Sequence, residues 1–139
     1  MLASIGYAVA YTGVGLLLLV VGAIALDLLT PGHLARHIYE ERSVNAAIAL
    51  AAGFLGQGAI AFTTIWTNAT SGFGTALGYT VVFGLVGIAL QVVAFVVLDL
   101  LTPGKLGATL MQVPFHPASL VTAAGTLAVS AIIVASIWP

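Results

Sequence analysis

The chain of 139 residues contains no cysteine and very few charged residues. Without cysteine it can form no disulfide or thiolate metal site, and it has no thiol nucleophile. Only 5% of its residues are charged and 61% are hydrophobic, whereas roughly a quarter of a soluble domain's residues are charged. Three Lys or Arg against four Asp or Glu also leave no basic surface for nucleic acid. These shortages exclude an ordinary soluble domain and indicate that lipid surrounds much of the chain.

The sequence is instead rich in long apolar runs. Four runs reach the roughly 20 residues that one crossing of the hydrocarbon core requires. They cover residues 5–26, 44–65, 75–98 and 120–138. Because unpaired backbone amides are not tolerated in lipid, each run is predicted to be a helix. The expected fold is an all-α membrane protein with four transmembrane helices.

The chain also repeats itself after 72 positions. The block Leu-Asp-Leu-Leu-Thr-Pro-Gly at residues 26–32 recurs at residues 98–104, and Ala-Ala-Gly at 51–53 recurs at 123–125. Chance composition does not duplicate a block of this kind, so two tandem helical hairpins are predicted, residues 1–72 and 73–139. Each hairpin crosses the membrane twice. The repeats are therefore expected to be parallel, related by an axis along the membrane normal.

Charge placement predicts the orientation of the chain. Arg36, Arg42 and Lys105 all lie in the two connectors that follow the repeated blocks, and the middle loop, residues 67–74, has no charge. The positive-inside rule assigns these connectors to the cytoplasm. Both termini are then expected on the outer side.

The repeated block supplies the candidate site. Its residues are Asp27, Thr30, Pro31 and Gly32, with Asp99, Thr102, Pro103 and Gly104. One interpretation is a structural corner, in which each Asp accepts hydrogen bonds from free amides at the proline break and each Thr caps the helix that follows. The other is a site for a cation or a proton, in which Asp27 and Asp99 face each other across the pseudo-twofold axis. Both interpretations stay open at this stage.

Further polar residues are weaker candidates. His33 and His37 lie four apart with Glu40 and Glu41 nearby, which is a possible metal-binding spacing, but the second repeat lacks both histidines. Headgroup contacts are the preferred interpretation, and no metal or other cofactor is predicted.

Two glutamines fall close to mid-membrane, Gln57 and Gln91. Each is expected to find a partner inside the bundle, and the other glutamine is one candidate. Interhelical hydrogen bonding is preferred to a role in conduction. No serine or threonine has a membrane histidine beside it to act as a base, and no phosphate-binding loop is present, so a non-enzyme is predicted.

At its doubled block, this sequence resembles a bacterial family of small four-helix inner-membrane proteins known as domain of unknown function 350, or YjfL-like. The resemblance covers residues 7 to about 138. It implies two hairpin repeats in the bacterial cytoplasmic membrane and an association with envelope maintenance or membrane stress. It implies no activity, so the block residues inherit only the status of signature positions.

Three functional hypotheses follow. The first is a non-enzymatic structural or regulatory subunit that self-associates in the bilayer and docks a cytoplasmic or membrane partner. The second is a small cation or proton channel or transporter that uses Asp27 and Asp99. The third is an accessory subunit that binds a lipid or quinone in an apolar groove.

Overall fold

The computed structural model describes residues 1–139 as six helices without a strand. The helices are α1 (Leu2–Leu29), α2 (Leu34–Tyr39), α3 (Val44–Thr67), α4 (Phe73–Leu101), α5 (Leu106–Leu110) and α6 (Ala118–Ile137). The four long helices, α1, α3, α4 and α6, are long and apolar enough to cross a membrane. The prediction of an all-helical chain is confirmed, and four of its helices are candidate membrane spans by length and composition.

The first helix of each half continues beyond its predicted end. The apolar runs placed these ends at residues 26 and 98, but α1 and α4 end at Leu29 and Leu101. With 28 and 29 residues, the two helices are about 42 and 44 Å long, more than the roughly 30 Å of hydrocarbon. Backbone hydrogen bonding does not stop where side chains become polar. Asp27 and Asp99 therefore lie inside the last turn of their helices.

Both helices end at a threonine that precedes proline. Thr30 has φ −110° and ψ 142°, and Thr102 has φ −93° and ψ 131°. The proline ring disfavours the helical conformation for the residue before it, so the chain becomes extended at this point. Gly32 and Gly104 then have φ of 85° and 93°, a left-handed conformation that glycine adopts without a steric penalty. The chain turns there into the short helices α2 and α5.

The helix α3 forms the centre of the bundle, and it packs most extensively on α6 and also on α1 and α4. Its buried residues are mostly small or polar: Asn45, Ala46, Ala49, Ala52, Gly56, Gln57, Ile60, Thr63 and Thr64. By contrast, α1 buries only Leu18. That side chain fits against Gly84 of α4, where a Cβ atom would collide with it. α1 is thus the most exposed of the long helices.

The two connectors meet at one end of the bundle. Gly107 of α5 lies against the corner after α1, since a Cβ atom at this glycine would be 2.9 Å from the carbonyl oxygen of Leu29. Ser43, the N-cap of α3, donates a hydrogen bond to the carbonyl oxygen of Leu110 at 3.0 Å. Most of the charged residues therefore share one end of the molecule.

Candidate functional site

The carboxylate of Asp27 accepts a hydrogen bond from the backbone amide of Leu34, the first residue of α2. The first amides of a helix have no partner within that helix, and the N-cap residue His33 makes no side-chain capping bond. Asp27 therefore caps α2 from the end of α1: its carboxylate accepts the amide hydrogen bond that an adjacent N-cap side chain usually accepts. The positive end of α2 also offsets the unfavourable position of a carboxylate at the C-terminal end of α1.

The second corner repeats this arrangement 72 residues later. The backbone amide of Leu106, the first residue of α5, donates to Asp99 Oδ1 at 2.6 Å. The N-cap residue Lys105 makes no side-chain capping bond. Both signature aspartates therefore join the end of a long helix to the start of a short one.

The signature threonines bond in the opposite direction from the one expected. Thr30 Oγ1 donates to the carbonyl oxygens of Leu26 and Asp27, both at 3.2 Å. Thr102 Oγ1 donates to the carbonyl oxygen of Leu98 at 2.7 Å. The prediction that these threonines cap the following helices was wrong. The extended conformation before proline leaves each hydroxyl beside the last carbonyls of the preceding helix, which lack the usual amide four residues further along the chain. The carbonyl of Asp27 accepts from the amide of Thr30 instead.

The two aspartates are not joined to each other by a hydrogen bond, and each is bonded to its own connector. The second oxygen of Asp27 is 3.8 Å from His33 Nδ1, and the Asp27 side chain is 32% exposed. The Asp27 side chain is therefore partly exposed in addition to making its capping bond. The cation or proton site remains a prediction.

A groove of about 460 Å³ lies between α1, α2 and α3 beside Asp27. Its lining residues are Leu16, Leu19, Val20, Ala23, Ile24, Asp27, His33, Leu34, Ala35, Ile38, Tyr39, Leu50 and Phe54. The walls are mostly apolar, and Asp27 and His33 lie at the connector end. This shape suits an acyl chain or another apolar molecule with a polar end.

The connector histidines have separate partners. His37 Nδ1 is 2.6 Å from Glu41 Oε2, whereas His33 is highly exposed and faces Asp27. Glu40 pairs with Arg36, at 3.2 Å from its Nε. The structure contains no group of three or more side chains arranged to hold a metal ion.

The two glutamines bond to different helices and not to each other. Gln57 Nε2 donates to the carbonyl oxygen of Gly84 at 2.9 Å, so it joins α3 to α4. Gln91 Nε2 donates to Ser130 Oγ at 2.8 Å and joins α4 to α6. Both bonds cross between helices, as interhelical hydrogen bonding requires.

Sequence reasoning missed Asn45, whose side chain is completely buried. Its Nδ2 donates to the carbonyl oxygens of Gln112 and Pro114 at 3.0 and 2.8 Å, and its Oδ1 accepts from the amide of His116 at 2.8 Å. These bonds fasten the start of α3 to the second connector. No local signal identifies Asn45, because its partners lie about 70 residues further along the chain.

The family model described as Domain of Unknown Function (DUF350) matches residues 1–137. A UPF0719 transmembrane protein of Mycolicibacterium paratuberculosis (strain ATCC BAA-968 / K-10) is 34% identical over 127 residues, which are 91% of this chain and 83% of the relative. A UPF0719 transmembrane protein of Mycobacterium bovis (strain ATCC BAA-935 / AF2122/97) is 32% identical over 129 residues, 93% of this chain and 84% of the relative. No solved structure matches the chain. The resemblance carried by the doubled block is confirmed, and the chain belongs to the DUF350 family.

Proposed function

We propose that this protein is a non-enzymatic structural or regulatory subunit of the bacterial cytoplasmic membrane, acting in an envelope or membrane-stress system. The carrying observation is that both signature aspartates bind the first amide of the next helix. The most distinctive chemical groups of the chain thus set the shape of its connector end. Two tandem parallel hairpins then present two similar corners to one side of the membrane.

Self-association in the bilayer is the second part of the proposal. In α1, only Leu18 is buried, and Gly6 and Gly13 have no neighbouring atom within 4 Å of a Cβ position. Small residues on an exposed transmembrane helix allow another helix to approach closely. A second copy of the chain that packs on α1 would bury this surface.

The connector end is the proposed docking surface for a cytoplasmic or membrane partner. Arg42 and Lys105 make no ion pair within the chain, and both belong to the connectors. The positive-inside rule places them at the cytoplasmic face, with both termini outside. Acidic groups on a partner, or anionic lipid headgroups, would complement these two cations.

Self-association is tested by energy transfer between labelled copies in liposomes over a range of protein-to-lipid ratios. We expect Gly13→Leu to weaken association, because the larger side chain keeps a second helix at a distance. Gly58→Leu on α3 is the matched control, since Gly58 also has no neighbour within 4 Å of a Cβ position. Absence of energy transfer for the wild-type chain at every ratio would refute self-association.

The alternative function is a cation or proton channel or transporter. The observation that favours it is that the Asp27 side chain is partly exposed and its second oxygen lies 3.8 Å from His33 Nδ1. Asparagine is as good a helix cap as aspartate but carries no charge. The double variant Asp27→Asn with Asp99→Asn therefore separates the two functions in a liposome flux assay. Flux that disappears in the double variant would support transport, and no flux from the wild-type chain would exclude it.

A further inference from the structure

The groove between α1, α2 and α3 runs from the middle of α1 to the connector end. On α1 it extends from Leu16, halfway along the helix, to Asp27 in the last turn. At 1.5 Å per residue this distance is about 16 Å, close to the roughly 15 Å of hydrocarbon in one leaflet. Leu16, Val20 and Ile24 are each more than half exposed, so the groove is open to the surrounding lipid along this side. Its length fits one acyl chain of that leaflet.

The second half of the molecule carries a large side chain at a position that is small in the groove. Ala23 lines the groove, whereas the residue 72 positions later is Phe95. Phe95 is buried and belongs to an apolar cluster with Leu106 and Leu110 of α5. In the first half, Ile38 is the counterpart of Leu110, and it is only half-buried and lines the groove. The first repeat therefore leaves apolar walls that a molecule from outside the chain can cover.

The polar groups at the connector end of the groove select the headgroup. Asp27, His33 and Leu34 all line the groove, which places the Asp27 carboxylate at its wall. One carboxylate oxygen accepts the amide of Leu34, and the other is 3.8 Å from His33 Nδ1, longer than a hydrogen bond. The carboxylate can therefore accept a further hydrogen bond, and its side chain is partly exposed.

Charge complementarity at this end favours a cationic group that can donate a hydrogen bond. No lysine or arginine lines the groove, so an anionic headgroup or a fatty acid would meet a carboxylate without a compensating cation. A membrane-spanning helix of a second copy would also bring no cation, because every Lys and Arg of the chain lies outside the four long helices. A lipid with an ammonium headgroup supplies both the acyl chain and the cation.

We propose that this groove binds one phospholipid with a primary ammonium headgroup, such as phosphatidylethanolamine. One acyl chain lies between α1 and α3, along Val20, Leu50 and Phe54, and the ammonium donates a hydrogen bond to the Asp27 carboxylate. His33, which is mostly exposed, lies at the rim beside the lipid phosphate. Such a site would hold its lipid whether the protein acts as a subunit or as a channel.

Native mass spectrometry of the protein released from nanodiscs tests the headgroup preference. The nanodiscs contain equal parts of phosphatidylethanolamine, phosphatidylcholine and phosphatidylglycerol with the same acyl chains. We expect several-fold more bound phosphatidylethanolamine than either other lipid, because choline has no N–H to donate and phosphatidylglycerol has no cation. Equal retention of the three lipids would overturn the proposal.

Two matched substitutions test the role of the Asp27 charge. Asp27→Asn keeps an acceptor for the amide of Leu34 but removes the charge, so the preference for phosphatidylethanolamine should fall several-fold. Asp99→Asn makes the same change at the equivalent corner, where Phe95 stands in place of Ala23, and should leave the preference unchanged. Equal effects of the two substitutions would contradict a headgroup site at Asp27.

A third variant and a labelling experiment locate the acyl chain. Ala23→Phe introduces the side chain found in the second half and should reduce bound phosphatidylethanolamine several-fold by filling the groove. In the unaltered chain, phosphatidylethanolamine with a diazirine in its acyl chain should label Val20, Leu50 or Phe54 on photolysis. Labelling that avoids all three residues, or disulfide crosslinking of Val20→Cys between two copies of the chain, would show that the groove holds something other than this lipid.

Discussion

Asp99 is the simpler of the two signature aspartates, because its carboxylate has the amide of Leu106 as its partner and no ion pair within the chain. Asp27 makes the equivalent bond to Leu34 and in addition lies beside His33. Capping requires only an oxygen acceptor, whereas a cation or proton site requires the charge. Substitutions that separate the oxygen from the charge therefore distinguish the two interpretations of this residue.

For Asp99, we expect alanine to be damaging and asparagine to be tolerated. Asp99→Ala removes the acceptor for the first turn of α5 and should lower the free energy of unfolding by about 0.5–2 kcal/mol. Asp99→Asn retains an acceptor, so it should change the free energy of unfolding by only a few tenths of the loss expected for Asp99→Ala. Steric trapping in bilayers measures both values. Equal losses for the two variants would show that the charge itself is needed.

Gly104 is the position where the signature's need for glycine can be measured. Its φ is 93° and no atom lies within 4 Å of a Cβ position, so Gly104→Ala tests the backbone conformation alone. We expect the substitution to lower the free energy of unfolding by about 1–2 kcal/mol. Gly78→Ala in α4, which also has open space around it, is the control and should show no comparable loss. If Gly104→Ala left the free energy of unfolding unchanged, the corner would have to adopt another conformation.

At the scale of the helices, the close approach of α3 and α6 depends on Gly56. A Cβ atom at Gly56 would collide with Ser130 Oγ and lie 2.9 Å from Gln91 Nε2. Gly56→Ala should separate the two helices and weaken the Gln91–Ser130 bond, at a cost of about 1–3 kcal/mol. Thermal unfolding in detergent measures the effect. Gly58→Ala, two residues away and facing open space, should leave the unfolding temperature unchanged. Equal shifts in unfolding temperature for the two variants would contradict the close packing at Gly56.

The number and positions of the long helices were predictable from sequence because lipid selects for about 20 apolar residues in a row. The ends of α1 and α4 were less predictable. An aspartate ends an apolar run in the sequence, so the helix was predicted to end there. The helix continues past the aspartate because a nearby backbone amide binds its side chain. Thr30 and Thr102 were predicted at the corner, but not the direction of their bonds.

The partners of the buried polar side chains were not predictable from sequence. Gln57 could be recognised as needing a partner, but the choice of Gly84 depends on how α3 and α4 pack, which apolar runs do not encode. Asn45 was missed for a similar reason, since its three bonds join segments distant in sequence. A single sequence shows which side chains are costly to leave unpaired in lipid. It does not show which helix supplies the partner.

At the scale of the whole molecule, the connectors meet at one end, and we expect that end to face the cytoplasm. The chain has no native cysteine, so single-cysteine variants report orientation without background. Ser71→Cys in the middle loop should react with a membrane-impermeant maleimide in intact cells. Glu40→Cys, at an exposed connector residue, should react only after the membrane is permeabilised. The opposite pattern would reverse the orientation.

The two halves of the molecule are similar in sequence but not interchangeable. The positions 72 residues after Ser43 and Asn45 are occupied by Phe115 and Pro117, which have no side-chain amide or hydroxyl. The fastening of α3 to the second connector therefore has no counterpart at the start of α6.

Because the Asn45 bonds join the start of α3 to a connector made later, they can form only after the second connector has been synthesised. Asn45 is synthesised 71 residues before His116, which at 5–20 residues per second is about 4–14 s earlier. The first hairpin is completed during that interval, but the Asn45 amide still lacks its partners, and water at the membrane surface has to solvate it. The bundle closes at this end only when the second connector leaves the ribosome. The rate of translation between these two residues therefore sets the earliest moment at which the protein can reach its final structure.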